Sequence, residues 1–422
     1  MFVPERAGVK LRAVPLRQPA FRTFLAGHFV SLLGDQLYFL ALPWTALRLG
    51  ASPGEVGALL AAAAVPRAVL MLGGGVLADR FGGRRVMLGS DLLRAVVMTV
   101  AAVTAFGGVL GLPGLFALVL VFGAVEAVFQ PALTTMLPNL LPPESLPAGN
   151  GLRTLALRFA QFVGPPASGA LIGFGVGWVF AVNAATFLVS VLALRVVPVA
   201  PPAPAKERPR FTAELTAGLR YARDNRTLAR LLLFTVLVNL GSAGPINVGL
   251  PLLAHATGWE VGGLALMMGA LGAGATVGAA LLGFGLLPGA GTGFLLIVMS
   301  AGQAALSVVV GLTLPLPVVV ATLAGLGFFL TVAGSSAMSL VQAITERPML
   351  GRVGSLMSFA VVGLLPVTYA VCGSAAGWIG VRPVLLAGGA IQVVTVVWGL
   401  FSAPLRQVSV TSGTAPSGDK TR

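Results

Sequence analysis

Asp35, Arg67, Glu126 and Arg158 each interrupt a long run of apolar residues in the N-terminal half of the chain. A charge in such a run costs about 2.5–3.5 kcal/mol on membrane-insertion scales, so four of them call for partners or a watery cavity. Two acids and two arginines can cancel. A carboxyl group that alternates between apolar and watery surroundings also holds a proton in the first and releases it in the second. Two readings follow: either Asp35 or Glu126 exchanges a proton while an arginine modulates its affinity, or the four side chains are a static network that braces the protein. His28 stands two helical turns before Asp35 on the same face and serves either as a proton relay or as a packed ring. Asp91 and Arg94, one turn apart, read as a structural pair near a membrane surface. Gln36, Tyr38, Gln130, Gln161, Asn239, Asn247, Gln303 and Gln342 are candidate hydrogen-bonding groups for a substrate cavity. There is no nucleotide-binding loop and no metal-ligand spacing, and the only histidines are His28 and His255, so neither an enzyme nor a cofactor is expected.

Positioning such groups requires elements that cross a bilayer. With 56% hydrophobic and 9% charged residues, a chain of 422 residues cannot clothe a soluble surface. Twelve apolar runs recur between Phe24 and Phe401, six before Leu194 and six after Leu228. Most are long enough to cross a core of about 30 Å as helices, which satisfy their own backbone where no water can. The expectation is an all-α membrane protein of twelve transmembrane helices in two six-helix bundles. The bundles span 1–197, with a basic N-terminus, and 228–405. Residues 198–227 form a linker with a surface helix beginning near Phe211, and 406–422 form a disordered tail. The single cysteine, Cys372, excludes an intrachain disulfide.

The net charge of +14 lies in short loops rather than on one soluble face, which argues for membrane topology and against nucleic acid. Lys and Arg crowd alternate loops, and the opposite set holds only Arg48 and Arg382. By the positive-inside rule both termini are cytoplasmic. Trp44, Trp178, Trp259 and Trp378 fall at the outer ends, where an indole finds apolar and hydrogen-bonding surroundings together.

The loop after the second span reads Gly75-Val-Leu-Ala-Asp79-Arg80-Phe-Gly82-Gly83-Arg84-Arg85. Gly82 suits a tight turn, and Asp79 suits a helix N-terminus, whose dipole favours an anion. This loop resembles the signature loop of the major facilitator superfamily. Gly164-Pro165-Pro166-Ala167-Ser168-Gly169 resembles the glycine–proline helix-kink motif of that superfamily's exporters. Phe129-Gln-Pro131-Ala-Leu, Gln342, Gly351-Arg352-Val353 and Pro366 are similar to its branch of macrolide, multidrug and enterobactin-type siderophore exporters. The resemblance covers Phe21 to Leu405. It implies two bundles around a central cavity, and a latch in which Asp79, steadied by Arg80, Arg84 and Arg85, meets the eleventh span near Gly351 and Arg352. It also implies proton-driven export of an amphipathic small molecule such as a drug, antibiotic or siderophore; the alternatives are a non-transporting membrane sensor or lipid-handling scaffold, and an uptake carrier for a polar nutrient. The expected setting is the bacterial inner membrane, as a monomer. The arginine-led motif that several drug–proton antiporters carry in the fourth span is missing, and the loop between spans eight and nine has lost the latch charges.

With Cys372 first removed, a cysteine at Ser52 should label from outside the cell and one at Ala205 only after permeabilisation. External labelling at Ala205 would reverse the orientation.

Overall fold

The computed structural model describes residues 14–198, 211–287, 292–312 and 314–409. Among them every regular element is a helix. A short turn, α1 (Val14–Arg17), leads into α2 (Pro19–Arg48), α3 (Pro53–Phe81), α4 (Gly83–Phe106), α5 (Leu112–Leu140), α6 (Leu146–Gly173) and α7 (Val176–Val196). Next comes a short helix, α8 (Phe211–Asp224), and then α9 (Arg226–Gly244), which passes through a π-helical turn at Pro245–Gly249 into α10 (Leu250–Ala256). The second set continues with α11 (Glu260–Gly283), α12 (Gly293–Gly311), α13 (Leu316–Ile344), α14 (Leu350–Val362), α15 (Leu365–Ile379), α16 (Val381–Phe401) and a final turn, α17 (Ala403–Gln407).

Eleven helical segments have the length and composition of a membrane span, α9–α10 counting as one and Arg347–Ile379 as another. The twelfth span is α6. Its 28 residues reach about 42 Å, but Arg153 and Arg158 dilute its apolar character. Proline stands in the first turn of α2, where a missing N–H costs nothing. Gly82, with φ of 82°, makes the sharp turn between α3 and α4 that a side chain would strain. The linker from 199 to 210 and the tail beyond 409 lie outside the described residues, as do the side chains of Gly75 and Asp79.

In the first bundle α3 packs on α5, α4 on α5 and α7, and α2 on α6 and α7. In the second, α11 packs on α13, α12 on α13 and α16, and α9 on α16. The bundles meet along two seams, α3 with α15 and α6 with α11. Both seams bring backbones together. A Cβ on Gly57 would lie 2.6 Å from the Tyr369 carbonyl oxygen and 2.7 Å from Gly373 Cα, and one on Gly272 would meet the backbone of Gln161. Small residues are what allow such approach in a membrane, where lipid is as apolar as leucine.

Burial divides the molecule unevenly. One apolar core, from Leu37–Leu47 through Leu115–Phe122 to Val248–Ala254 and Val319–Leu326, unites both bundles at the ends remote from the Arg84–Arg85 loop. At the opposite, basic face the bundles keep separate cores, one around Phe21, Phe129 and Met136, the other around Leu231, Leu296 and Leu340. The halves are therefore closed together at one face and parted at the basic one.

Trp44 departs from the expected position. It is 2% exposed within the shared core, edge-on to His255 with ring centroids 6.0 Å apart, whereas Trp178 and Trp378 lie at the periphery. The seam between bundles, absent from any reading of one span at a time, takes it away from lipid. At the basic face the segment after α17 folds back: Gly293 donates its N–H to the Val408 carbonyl at 2.8 Å, and Thr292 bridges Ser409. This pins the loop before α12.

Candidate functional site

A cavity of about 290 Å³ lies between the bundles, near the middles of α2, α3 and α5. Phe39, Phe122, Pro165 and Met268 give it apolar walls, and Gln36, Tyr38, Gln161, Asn247 and Tyr369 bring hydrogen-bonding groups. Its charged members are Arg67 and Glu126. Arg67 Nη2 donates to Glu126 Oε2, and the guanidinium also lies 5.7 Å from the centre of the Phe39 ring. The Arg67 side chain is 27% exposed and that of Glu126 12%, so this pair faces the cavity.

Behind it stands a second ionic group. Arg94 Nη2 donates to Asp91 Oδ1, while its Nη1 lies 3.7 Å from Asp35 Oδ1. Ser190 Oγ donates to the other Asp91 oxygen at 2.6 Å. The guanidinium is sandwiched between Phe129 and Phe187, 4.3 and 4.5 Å from their ring centres, where cation–π attraction adds to the ionic contacts. The side chains of Arg94 and Asp91 are 1% and 0% exposed, and that of Asp35 is 13%. The Asp91–Arg94 pair therefore exists but is not near a surface. Counting from Gly83, Asp91 is more than two turns into α4, on the face that packs against α5 and α7.

Only two of the four charges singled out in the sequence pair with each other. Arg67 takes Glu126, Asp35 takes the neighbouring Arg94, and Arg158 donates instead to Gln161 Oε1 at 2.9 Å. Helix order decides this, because α3 lies against α5 while α6 turns Arg158 towards the seam with α11, where Thr276 bonds its carbonyl. His28 is stacked between Phe24 and Phe129, with centroids 5.8 and 5.9 Å away, and its Nδ1 has no hydrogen-bond partner.

Of the candidate cavity groups, Gln36, Tyr38, Gln161 and Asn247 line the wall. Gln130 and Gln342 are exposed and lie off it. Asn239 and Gln303 face a separate void of about 40 Å³ inside the second bundle. In α6 the close-packing positions are occupied as the motif suggests, Gly164 against Gln36 and Gly169 against Ala265. Pro165 borders the cavity. At the basic face Arg84 donates to the carbonyls of Leu194 and Arg195, at 2.8 and 2.6 Å, capping α7. Arg80 lies over Phe81. Arg352 Nη1 rests 3.4 Å from the Met349 Sδ, the Arg352 carbonyl lies against Gly218 of α8, and Gly351 has open space beside it.

Tyr369 and the inward role of Arg94 are missing from the sequence reading. The depth of Asp91 and Arg94 within an apolar run was the available signal for the second; nothing marked Tyr369.

A family model described as Major Facilitator Superfamily matches residues 24–365. The enterobactin exporter EntS of Citrobacter koseri is 27% identical over 345 residues, covering 80% of each chain. Among solved structures, the nucleoside transporter NupG superposes with a TM-score of 0.72 at 14% identity, covering 90% of this chain and 98% of that one. A bacterial homolog of the human lysosomal transporter Spinster, in an inward-facing and occupied conformation, gives 0.69 at 15% identity, covering 92% and 96%.

Arg94→Leu strands two buried carboxylates and should cost about 3–5 kcal/mol, the range for breaking a buried pair. Arg67→Leu, at the watery wall, should cost clearly less. Thermal unfolding in detergent measures both, and equal losses would refute the ranking.

Proposed function

The chain belongs to the Major Facilitator Superfamily, and on that premise we propose that it is a secondary transporter exporting an amphipathic small molecule in exchange for protons. As a member of this family it is a multi-pass membrane transport protein rather than an enzyme. We place it in the bacterial inner membrane, as a monomer with both termini cytoplasmic, so that the parted basic face opens inward.

The observation that carries this reading is the ion pair Arg67–Glu126 on the wall of a largely apolar cavity between two bundles closed at one face only. Aromatic walls suit an amphipathic substrate, and a few polar groups orient it. Glu126 and Asp35 are the titratable groups through which a proton gradient acts. If each cycle moves one charge, a potential of 100 mV supplies about 2.3 kcal/mol, enough for roughly fifty-fold accumulation. Export rather than uptake is favoured by the similarity to enterobactin exporters. A siderophore-like or antibiotic-like molecule fits the same description.

In inverted vesicles with an imposed pH gradient, a panel of catecholates, macrolides and amphipathic dyes should contain a molecule whose uptake follows the gradient. Asp35→Asn or Glu126→Gln should abolish that flux while sparing part of the substrate counterflow. Full pH-driven flux in both variants, and in the double variant, makes the acids structural.

Asp79 is the proposed latch to the start of the eleventh span when the basic face closes. Asp79→Asn loses a charge worth about 1–2 kcal/mol at a helix N-terminus, which would move the inward/outward balance several-fold. Weakened transport with a population shifted to the open basic face is expected. Unchanged spin-label distances across that face would remove the latch.

A further inference from the structure

We propose that Asp35, Asp91 and Arg94 act as one proton-exchanging unit with room for a single proton, that Asp35 is the carboxyl that takes it, and that Arg94 is the positioning residue that makes this so. The proposal rests on the proton-exchange reading above and decides which acid serves it.

The charge balance comes first. Two carboxylates share one guanidinium, so with both ionised the group carries one negative charge inside a shell of Phe122, Phe129 and Phe187. One proton makes it neutral, which is the condition that low-dielectric surroundings favour. The Arg67–Glu126 pair is neutral already.

Hydrogen bonding then decides between the two acids. Asp91 accepts from Arg94 through one oxygen and from Ser190 through the other. Both bonds stabilise its ionised form. Asp35 Oδ1 has no hydrogen-bond donor, and at 3.7 Å its contact with Arg94 is ionic only. Access points the same way, since the Asp35 side chain is 13% exposed and that of Asp91 is sealed. The proton is exchanged with water reaching the exposed edge of the Asp35 side chain, and no other bond changes.

The surroundings of Asp35 add no competing cation. The charged groups acting on it are Arg94, Glu126, Asp91 and Arg67, of which the second and fourth satisfy each other. Next to it, α7 brings the neutral Asn183 and Thr186 so close that Gly34 has no room for a side chain. From α6 come Gln161 and Arg158, bonded to one another, and Arg153, which acts on His28. His255 of α10 is exposed and lies edge-on to Trp44, and Glu260 heads α11.

Infrared titration of the protein in liposomes reads the unit without a substrate. The expected result is one carboxylic C=O band that disappears as pH rises, absent in Asp35→Asn and retained in Glu126→Gln. Ser190→Ala weakens the hold on Asp91's charge, so the unit should keep its proton to higher pH, raising the band's midpoint by roughly one to two units. Asp91→Asn leaves Arg94 to Asp35 alone and should remove the band from neutral pH. A band that survives Asp35→Asn, or a midpoint indifferent to both Ser190→Ala and Asp91→Asn, overturns the proposal. If the band behaves as expected but no pH-driven flux is found, the antiport reading falls and the unit stands. Flux without the band overturns the unit alone.

Discussion

A guanidinium withdrawn from water and held inside an apolar bundle has to be given anions, and Arg94 organises the first bundle around that need. Its partners come from three helices: Asp91 from its own α4, Asp35 from α2, and the Ser190 that steadies Asp91 from α7. Phe129 of α5 and Phe187 of α7 cover its faces. The desolvation of each charge is offset only while all the partners keep their places, so the rotation of four helices about their axes is fixed together. The cavity wall inherits this order. Arg67 meets Glu126 because α3 packs directly on α5, whose Phe129 also covers the Arg94 guanidinium.

The second bundle is built on the other principle. Among the described residues its spans contain no ion pair, and two of them are irregular: α9 and α10 join through the π turn at Pro245–Gly249, and α14 and α15 are separated at Gly363–Leu364. Both irregularities border the cavity, which receives Asn247 from the first and Leu365 and Tyr369 from just beyond the second. Non-helical backbone at membrane depth is tolerated where it is buried or lines a cavity, and that is where it occurs. One half thus brings the charge, and the other brings helices able to bend beside it.

Much of this was legible in the sequence. Twelve apolar runs, the division into six and six, the turn at Gly82 and the pairing of Asp91 with Arg94 all follow from periodicity, length and local spacing, which are properties of one segment at a time. What escaped depends on two segments meeting. Asp35 chooses Arg94 over Arg67 or Arg158, and Trp44 enters the shared core instead of the lipid interface, because helices pack in a particular order and rotation. A run of leucine, alanine and valine carries little information about which of its faces will turn inward. The chemistry-bearing residues were visible from their cost in lipid, but their partners were not.

The bond from Gly293 to the Val408 carbonyl has a consequence for biogenesis. The rim beneath α12 is stitched by residues made more than a hundred positions later, and a Cβ on Gly293 would collide with the Leu405 carbonyl, so the stitch is close-fitting. While the chain is being synthesised, spans seven to eleven must wait in the membrane with that rim unfastened. The second bundle is therefore completed only when α17 has been made and has docked, so that the half opposite the ionic core is fastened later than its own spans are formed.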